Sequence, residues 1–333
     1  VDAAVIRARG IAYGVPGMHH SHENYVVALE LEDATGVVVE GIGEGQPRGA
    51  LTGDSPNESW RYLEESLELL SGRDFEVTDR LSAVSVIQDI TAELDELAHK
   101  VNHDPAQKRP YRGTMLGIEI ALLDAFSQAL SLPLYALLGH KRDGAPLMPQ
   151  SVSAEVCRHE LQGRLRQHFG WNGAVRIAGV PEITRNVDVL EKVSDIARSR
   201  PGGTREPALW LVFSGELSRR SASVLVREVA LSMLAGFTSQ SVVIQQPVSV
   251  TYGDHLPVLQ RQADAMFDQA GREDLSLTIH GAETVWDKHS LGRLRKLGGL
   301  RSIEVTPAQA GGLLSSIELV RTAQQTVHDP TIT

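Results

Sequence analysis

The chain is predicted to be a two-part α/β protein, with an N-terminal α+β region over residues 1–140 and a parallel βα region over 141–333. Three observations carry that expectation. The first fifty or so residues alternate apolar and polar side chains between turn signals, as the strands of a β-meander do. Residues from Ser59 to Leu130 then place apolar side chains at helical spacing. From about Leu147 short apolar runs alternate with amphipathic stretches, the pattern of parallel strands joined by helices.

The elements follow in order. Ala3 to Ala12 alternates, Tyr25 to Leu31 is rich in β-forming residues, and Gly36 to Ile42 follows the turn Glu32-Asp33-Ala34-Thr35-Gly36. A helix is expected over Ser59 to Leu70, with Asn57 or Ser59 as its N-cap. Thr91 to Val101 and Gly113 to Leu130 repeat the helical period, and the latter is apolar almost all round, so it should be buried. Strands are expected at Pro149–Ser153, Ala174–Ala178, Ala208–Phe213, Ser241–Gln246, Leu275–His280 and Ser302–Val305, with helices such as Glu182–Arg198, Ser218–Leu234 and Gly312–Val327 between and after them. That makes about six βα units, against the eight of a closed barrel. Open parallel edges are association-prone. A companion is therefore expected: a further segment, another subunit or a second copy of the chain.

Bulk properties exclude some function classes. Of 333 residues 42% are hydrophobic and 22% charged, ordinary for a globular protein, and the length suits about two domains. The net charge of −10 argues against nucleic acid as a partner. No run of about eighteen apolar residues and no signal-peptide pattern is present, so neither a membrane partner nor export is expected. A single cysteine, Cys157, allows no internal disulfide and points to a reducing, cytoplasmic setting. The first residue is Val1 rather than Met, as in a processed or trimmed chain.

Several motifs belong together. They are Gly43-Glu44-Gly45-Gln46-Pro47-Arg48 with Thr52-Gly53-Asp54, Glu119 to Asp124 with Leu132 to Gly139, Gln245-Gln246-Pro247, Gly281-Ala282-Glu283-Thr284, and Ser302 to Gly312 with its closing Gly311-Gly312. Together they resemble the enolase superfamily, in the branch of muconate cycloisomerases, dipeptide epimerases and mandelate-racemase-like enzymes. The resemblance implies a capping domain followed by a TIM-type barrel, here incomplete at its C-terminus. It also implies isomerase or lyase chemistry. In such enzymes three carboxylates hold a magnesium ion that stabilises an enediolate, and lysines on opposite faces move the proton.

The residues at those places depart from the family pattern. Val212 and Ser214 stand where the family writes D-x-N, Gln245 where it writes the Glu of E-Q-P, and Ala282 where it writes the ligand Asp. Thr306 stands at the place of the last lysine. The family's K-x-K-x-G corresponds to Val175-Arg176-Ile177-Ala178-Gly179, whose one cation, Arg176, stays protonated and accepts no proton. Neither a metal nor another cofactor is expected.

Other groups remain as candidates. His19, His20 and His22 fall where the family has a mobile cap loop, and read as substrate contacts rather than as a metal cluster, which needs fixed ligand geometry. Gln245 is a further substrate-binding candidate, and Arg176, His280 and Glu283 are the catalytic candidates, because strand ends carry the chemistry of barrel enzymes. A histidine there can serve as general base near neutral pH. Lys288 and His289 follow at a helix start. Trp210, Phe213 and Trp286 read as packing residues, and Cys157 has no histidine partner in sequence. The expectation is a degenerate relative of these enzymes that binds a small organic acid or an amino-acid derivative. The alternatives are a metal-free isomerase or lyase working through His280 and Glu283, and a structural domain of a larger assembly.

Overall fold

Strands β1 (Ala4–Val15), β2 (Asn24–Glu32) and β3 (Val38–Gly45) of the computed structural model form an antiparallel meander, and β4 (Asp74–Val77) pairs with the other edge of β1. The structure describes residues 4–15, 24–32, 36–47, 55–102, 110–139, 150–153, 175–199, 208–326 and 331–332. It divides into two compact units, Val1–Gly144 with Thr306–Arg321, and Ala145–Val305 with Thr322–Thr333. Tyr25, Val27, Leu29 and Leu31 of β2 are buried in the core of the first unit.

Helix α1 (Pro56–Leu70) starts three residues before Ser59, so Asn57 and Ser59 lie inside it and neither is its cap. Its N-cap is Ser55, whose hydroxyl accepts from the Glu58 amide at 3.3 Å, with Pro56 preset for the first turn. Helix α2 (Arg80–Val101) is twice as long as the stretch expected from Thr91. Asp79 and Ser82 close a capping box at its start, while Val84-Ser85-Val86 in its first half alternates like a strand and hides the helical period. Helix α3 (Arg112–Ala129) is buried as its composition requires, and the short α4 (Leu134–Leu137) follows it.

Glycines decide how α3 meets β3. Gly41, Gly43 and Gly45 face Ala121, Gly117 and Gly113 so closely that a Cβ on Gly43 would overlap the Gly117 carbonyl oxygen. Side chains on α3 also occupy backbone groups of β3. Asp124 accepts from the Ile42 amide at 2.9 Å, and Gln128 donates to the Glu40 carbonyl at 2.7 Å. Unpaired edge groups are thereby satisfied by the helix.

The second unit is a parallel sheet whose strands follow sequence order. They are β5 (Gln150–Ser153), β6 (Val175–Ala178), β7 (Leu209–Val212), β8 (Ser241–Gln245), β9 (Ser276–Gly281), β10 (Ser302–Ile303) and β11 (Thr331–Ile332). This is one strand more than the six expected, because two residues at β11 are too few to show a period. Helices α5 (Ile183–Arg198), α6 (Arg219–Leu234), α7 (Leu256–Ala270) and α8 (Lys288–Leu297) connect the strands.

After β10 the chain enters α9 (Pro307–Ala310), turns at Gly311 with φ of +83°, and continues as α10 (Leu313–Thr326). A single helix from Gly312 to Val327 was expected; Val327 lies outside the described residues. Through Arg321 this segment belongs to the first unit. Buried Glu119 of α3 anchors it, accepting from the Leu313 amide and, at 3.3 Å, from the Leu314 amide. Gly312 is needed there, since a Cβ would stand 2.5 Å from a Glu119 carboxylate oxygen. No helix of the described residues is long and apolar enough to cross a membrane.

Candidate functional site

Period-two alternation sorts each strand of the second unit into two faces. Val175 and Ile177, Leu209 and Leu211, Val242 and Ile244, and Leu277 and Ile279 all belong to one apolar core against the helices. The residues between them face the other way: Arg176, Trp210 and Val212, Gln245, and His280. The register places Val212, Gln245, His280 and Ser302 in one row across four neighbouring strands.

A continuous polar network results. Arg176 donates from Nη2 to Gln245 Oε1 at 3.1 Å, and Gln245 Nε2 donates to Glu304 Oε2 at 2.6 Å. His280 Nδ1 and the Ser302 hydroxyl lie 2.6 Å apart. Trp210 packs edge-on to His280 with centroids 5.0 Å apart, and the Arg176 guanidinium lies 5.9 Å from the Trp210 ring centroid. Trp210 is thus a packing residue, and what it packs against is two members of the network.

Burial sets the charges. His280 is fully buried, and desolvation together with the Arg176 charge pushes its pKa down to about 3. Its Nε2 stands 4.0 Å from Glu304 Oε2, but a neutral imidazole forms no ion pair. Glu304 is raised above the ordinary carboxylate range, chiefly by desolvation, while Arg176 and Gln245 pull it back. Glu283 is raised by desolvation and further by Glu304 and Glu216. Its Oε2 is buried with no hydrogen-bond partner among the described residues. Glu216 accepts from the Ser214 amide at 2.8 Å.

Gln246 holds the turn after β9 in place. It adopts a left-handed φ of 41°, costly for a residue with a side chain. The buried side chain accepts from the Ala282 amide at 2.9 Å and donates to Thr284 Oγ1 and to the Val248 carbonyl, each at 2.7 Å. The loop bearing Glu283 is thus fixed from β8.

The structure brings together Arg176, Gln245, His280 and Glu283, four of the residues picked from the sequence. Val212 ends β7, and Ala282 is buried within the turn that Gln246 pins. Thr306 precedes α9 as its N-cap and is grouped with the first unit. Glu304, directly after β10, is the residue that reaches Gln245. Lys288 and His289 open α8 and are exposed; Trp286 Nε1 donates to the Glu283 carbonyl. His19, His20, His22 and Cys157 lie outside the described residues. Among the described residues no group of three or more His, Cys, Asp or Glu side chains is arranged to hold a metal ion.

Comparisons place this architecture. The chain superimposes on a mandelate racemase/muconate lactonizing enzyme from Roseiflexus sp. with a TM-score of 0.72 and 17% identity, covering 98% of this chain and 80% of that one. Against 2-chloromuconate cycloisomerase from Rhodococcus opacus 1CP the TM-score is 0.66 at 20% identity, covering 98% and 78%. Against the L-Ala-D/L-Glu epimerase from Bacillus subtilis it is 0.68 at 17% identity, covering 97% and 80%. In sequence the chain is 23% identical over 229 residues to a D-galactonate dehydratase from Verminephrobacter eiseniae (strain EF01-2), which covers 67% of this chain and about half, 53%, of that protein. No protein-family model matches. The fold is enolase-like, an antiparallel-sheet cap unit and a parallel βα unit, and its similar structures are cycloisomerases, epimerases and racemase-like enzymes.

Proposed function

We propose that this chain uses the enolase-type scaffold to bind a small organic ligand at the strand ends of its second unit, without metal-assisted proton abstraction. One observation carries the reading: the Gln245 amide is engaged on both sides, its oxygen by Arg176 and its nitrogen by Glu304. A magnesium ion of the family type does not fit these residues. A hard divalent cation needs anionic oxygens to offset its dehydration, whereas the amide oxygen of Gln245 already accepts from a guanidinium whose charge would repel the ion. Val212 and Ala282 offer no ligand atoms in their side chains. The relatives' names support a ligand of this class: 2-chloromuconate, galactonate and an Ala-Glu dipeptide are small carboxylates or amino-acid derivatives. Titration calorimetry of the full chain with magnesium and manganese is expected to give no stoichiometric site. A site of low-micromolar affinity that is lost in Gln245→Ala would overturn the reading.

A second reading rests on the raised carboxylates. Glu283 and Glu304 hold protons more readily than ordinary glutamates, as a metal-free isomerase or lyase requires of its acid. Buried and neutral, His280 would orient the site in that case rather than exchange protons with solvent. Deuterium incorporation at the α-carbon of dipeptides or hydroxy acids in heavy water, abolished in Glu304→Gln, would favour this reading over pure binding.

A further inference from the structure

Charge is divided unevenly along the chain. The first unit holds its whole negative excess, whereas acidic and basic residues nearly balance in the second. We infer that two copies of this chain associate, with the outer face of β3 in one copy docking on the exposed face of α8 in the other.

The β3 side of the contact is part apolar and part acidic. Its glycines point to α3, so the alternate residues Val38, Glu40, Ile42 and Glu44 face away from that helix. Val38 and Ile42 are 54% and 53% exposed, and both glutamates are exposed beside them. The register sets Glu40 directly opposite Glu30 of β2, a like-charge pair that a sheet disfavours. Arg9 of β1 stands opposite Glu30 on its other side, one strand further in, and the register brings no cation next to Glu40 at the edge. An incoming strand finds this edge occupied, because Gln128 holds the Glu40 carbonyl and Asp124 the Ile42 amide. What fits is a surface that receives side chains: a hollow for Ile42 with cations on both sides of it.

Helix α8 has that surface. Leu291 and Leu294 are its buried residues, while Lys288, His289, Arg295 and Lys296 are exposed. These four stand three or four residues before and after Gly292, so they surround it on the helix surface. Four residues so placed form the hole that takes a partner's side chain in helix packing. A glycine inside a helix weakens it. The described residues do not require one here, since a Cβ at Gly292 would meet no atom within 4 Å. A neighbouring copy's Ile42 gives the glycine a reason: it seats over Gly292 while Glu40 and Glu44 reach Lys288, Arg295 and Lys296. Like faces repel, acid against acid and base against base, so the contact runs from the first unit of one copy to the second unit of another.

Sedimentation velocity and light scattering on the intact chain, from about 1 to 200 µM, test this. The mass is expected to rise above that of one chain as concentration rises. Going from about 0.1 to 1 M salt shortens the screening length from about 10 to about 3 Å and should weaken association at least about tenfold. Gly292→Leu should hold or raise the unfolding midpoint, because leucine favours helix, and still weaken association at least about tenfold. Glu40→Lys with Glu44→Lys should give a folded monomer, since Glu40→Lys turns a repelling cross-strand pair into an attracting one. Arg295→Glu with Lys296→Glu should also give a monomer. Mixed in equal amounts, the two charge-reversed proteins should associate again, because each then presents the other with a face of opposite charge. A wild-type chain that stays monomeric throughout, reversed proteins that associate like the wild type, or a mixture that does not recover overturns the inference.

Discussion

Replacing Glu119 by glutamine tests how the 306–321 segment is fastened. Burial raises the Glu119 carboxyl from its ordinary 4.5 to about 7, and the amides of Leu313 and Leu314 oppose that rise only in part. The native state therefore holds a proton that the unfolded chain releases between those two values. Where the native state binds more protons, stability falls as pH rises. The loss begins above the unfolded value, is complete once pH passes about 7, and amounts to about 3 kcal/mol at about 1.4 kcal/mol per unit. The neighbouring Arg112 does not cancel this, since its guanidinium pairs with Asp95 at 2.8 Å. Glu119→Gln keeps a carbonyl acceptor for the α10 amides but cannot ionise. Chemical denaturation of both proteins at pH 5, 6, 7 and 8 is the assay. The wild type is expected to lose on the order of 2–3 kcal/mol relative to the variant across that range. Parallel stability curves would show that Glu119 is not titrating in the fold and would refute the reasoning.

Three further outcomes follow from particular contacts. Gly43→Ala forces a methyl into the Gly117 carbonyl on the buried helix α3, where neither backbone can move away, so a loss of about 3 kcal/mol or failure to fold is expected in thermal unfolding; an unchanged midpoint would contradict the seam. Gln245→Leu removes the acceptor of Arg176 and the donor to Glu304, for a cost of about 1–3 kcal/mol, and carbon-13 titration should show the Glu304 pKa moving further up. His280, held at about 3 by burial and Arg176, should show the nitrogen shifts of a neutral imidazole from pH 8 down to about 4, and titration near 6.5 would mean that water reaches the ring.

Much of the fold was readable because each strand of the second unit turns apolar residues into one core. Val-Arg-Ile-Ala, Leu-Trp-Leu-Val and Val-Val-Ile-Gln read as short apolar runs, and the helices between them carry one apolar stripe each. What escaped notice was short or locally ambiguous. β4 and β11 have four and two residues, too few for a period to emerge. The first half of α2 mimics a strand until the capping box of Asp79 and Ser82 is seen in place. The return of the 306–321 segment to the first unit has no local signature at all. It depends on Glu119, nearly two hundred residues away, meeting the start of α10.

The site was legible in part, and its main omission has a geometric cause. Counting back from Gly311-Gly312 puts Thr306 in the place of the family's last lysine. The glycines, however, are fixed by the first unit: Gly311 takes a left-handed turn against Arg112, and Gly312 makes room for Glu119. They report where α10 begins and not where β10 ends. Counting forward from the strand instead puts Ser302 opposite His280 and Ile303 opposite Gly281, so Glu304 is the next residue on the face of Gln245 and His280. Period two along a strand carries that information in two residues, because the side chain before the core-facing Ile303 and the one after it must share a face. Glu304 is thus the acidic group that sequence alone could have assigned to the network, had the strand rather than the glycine pair been the ruler.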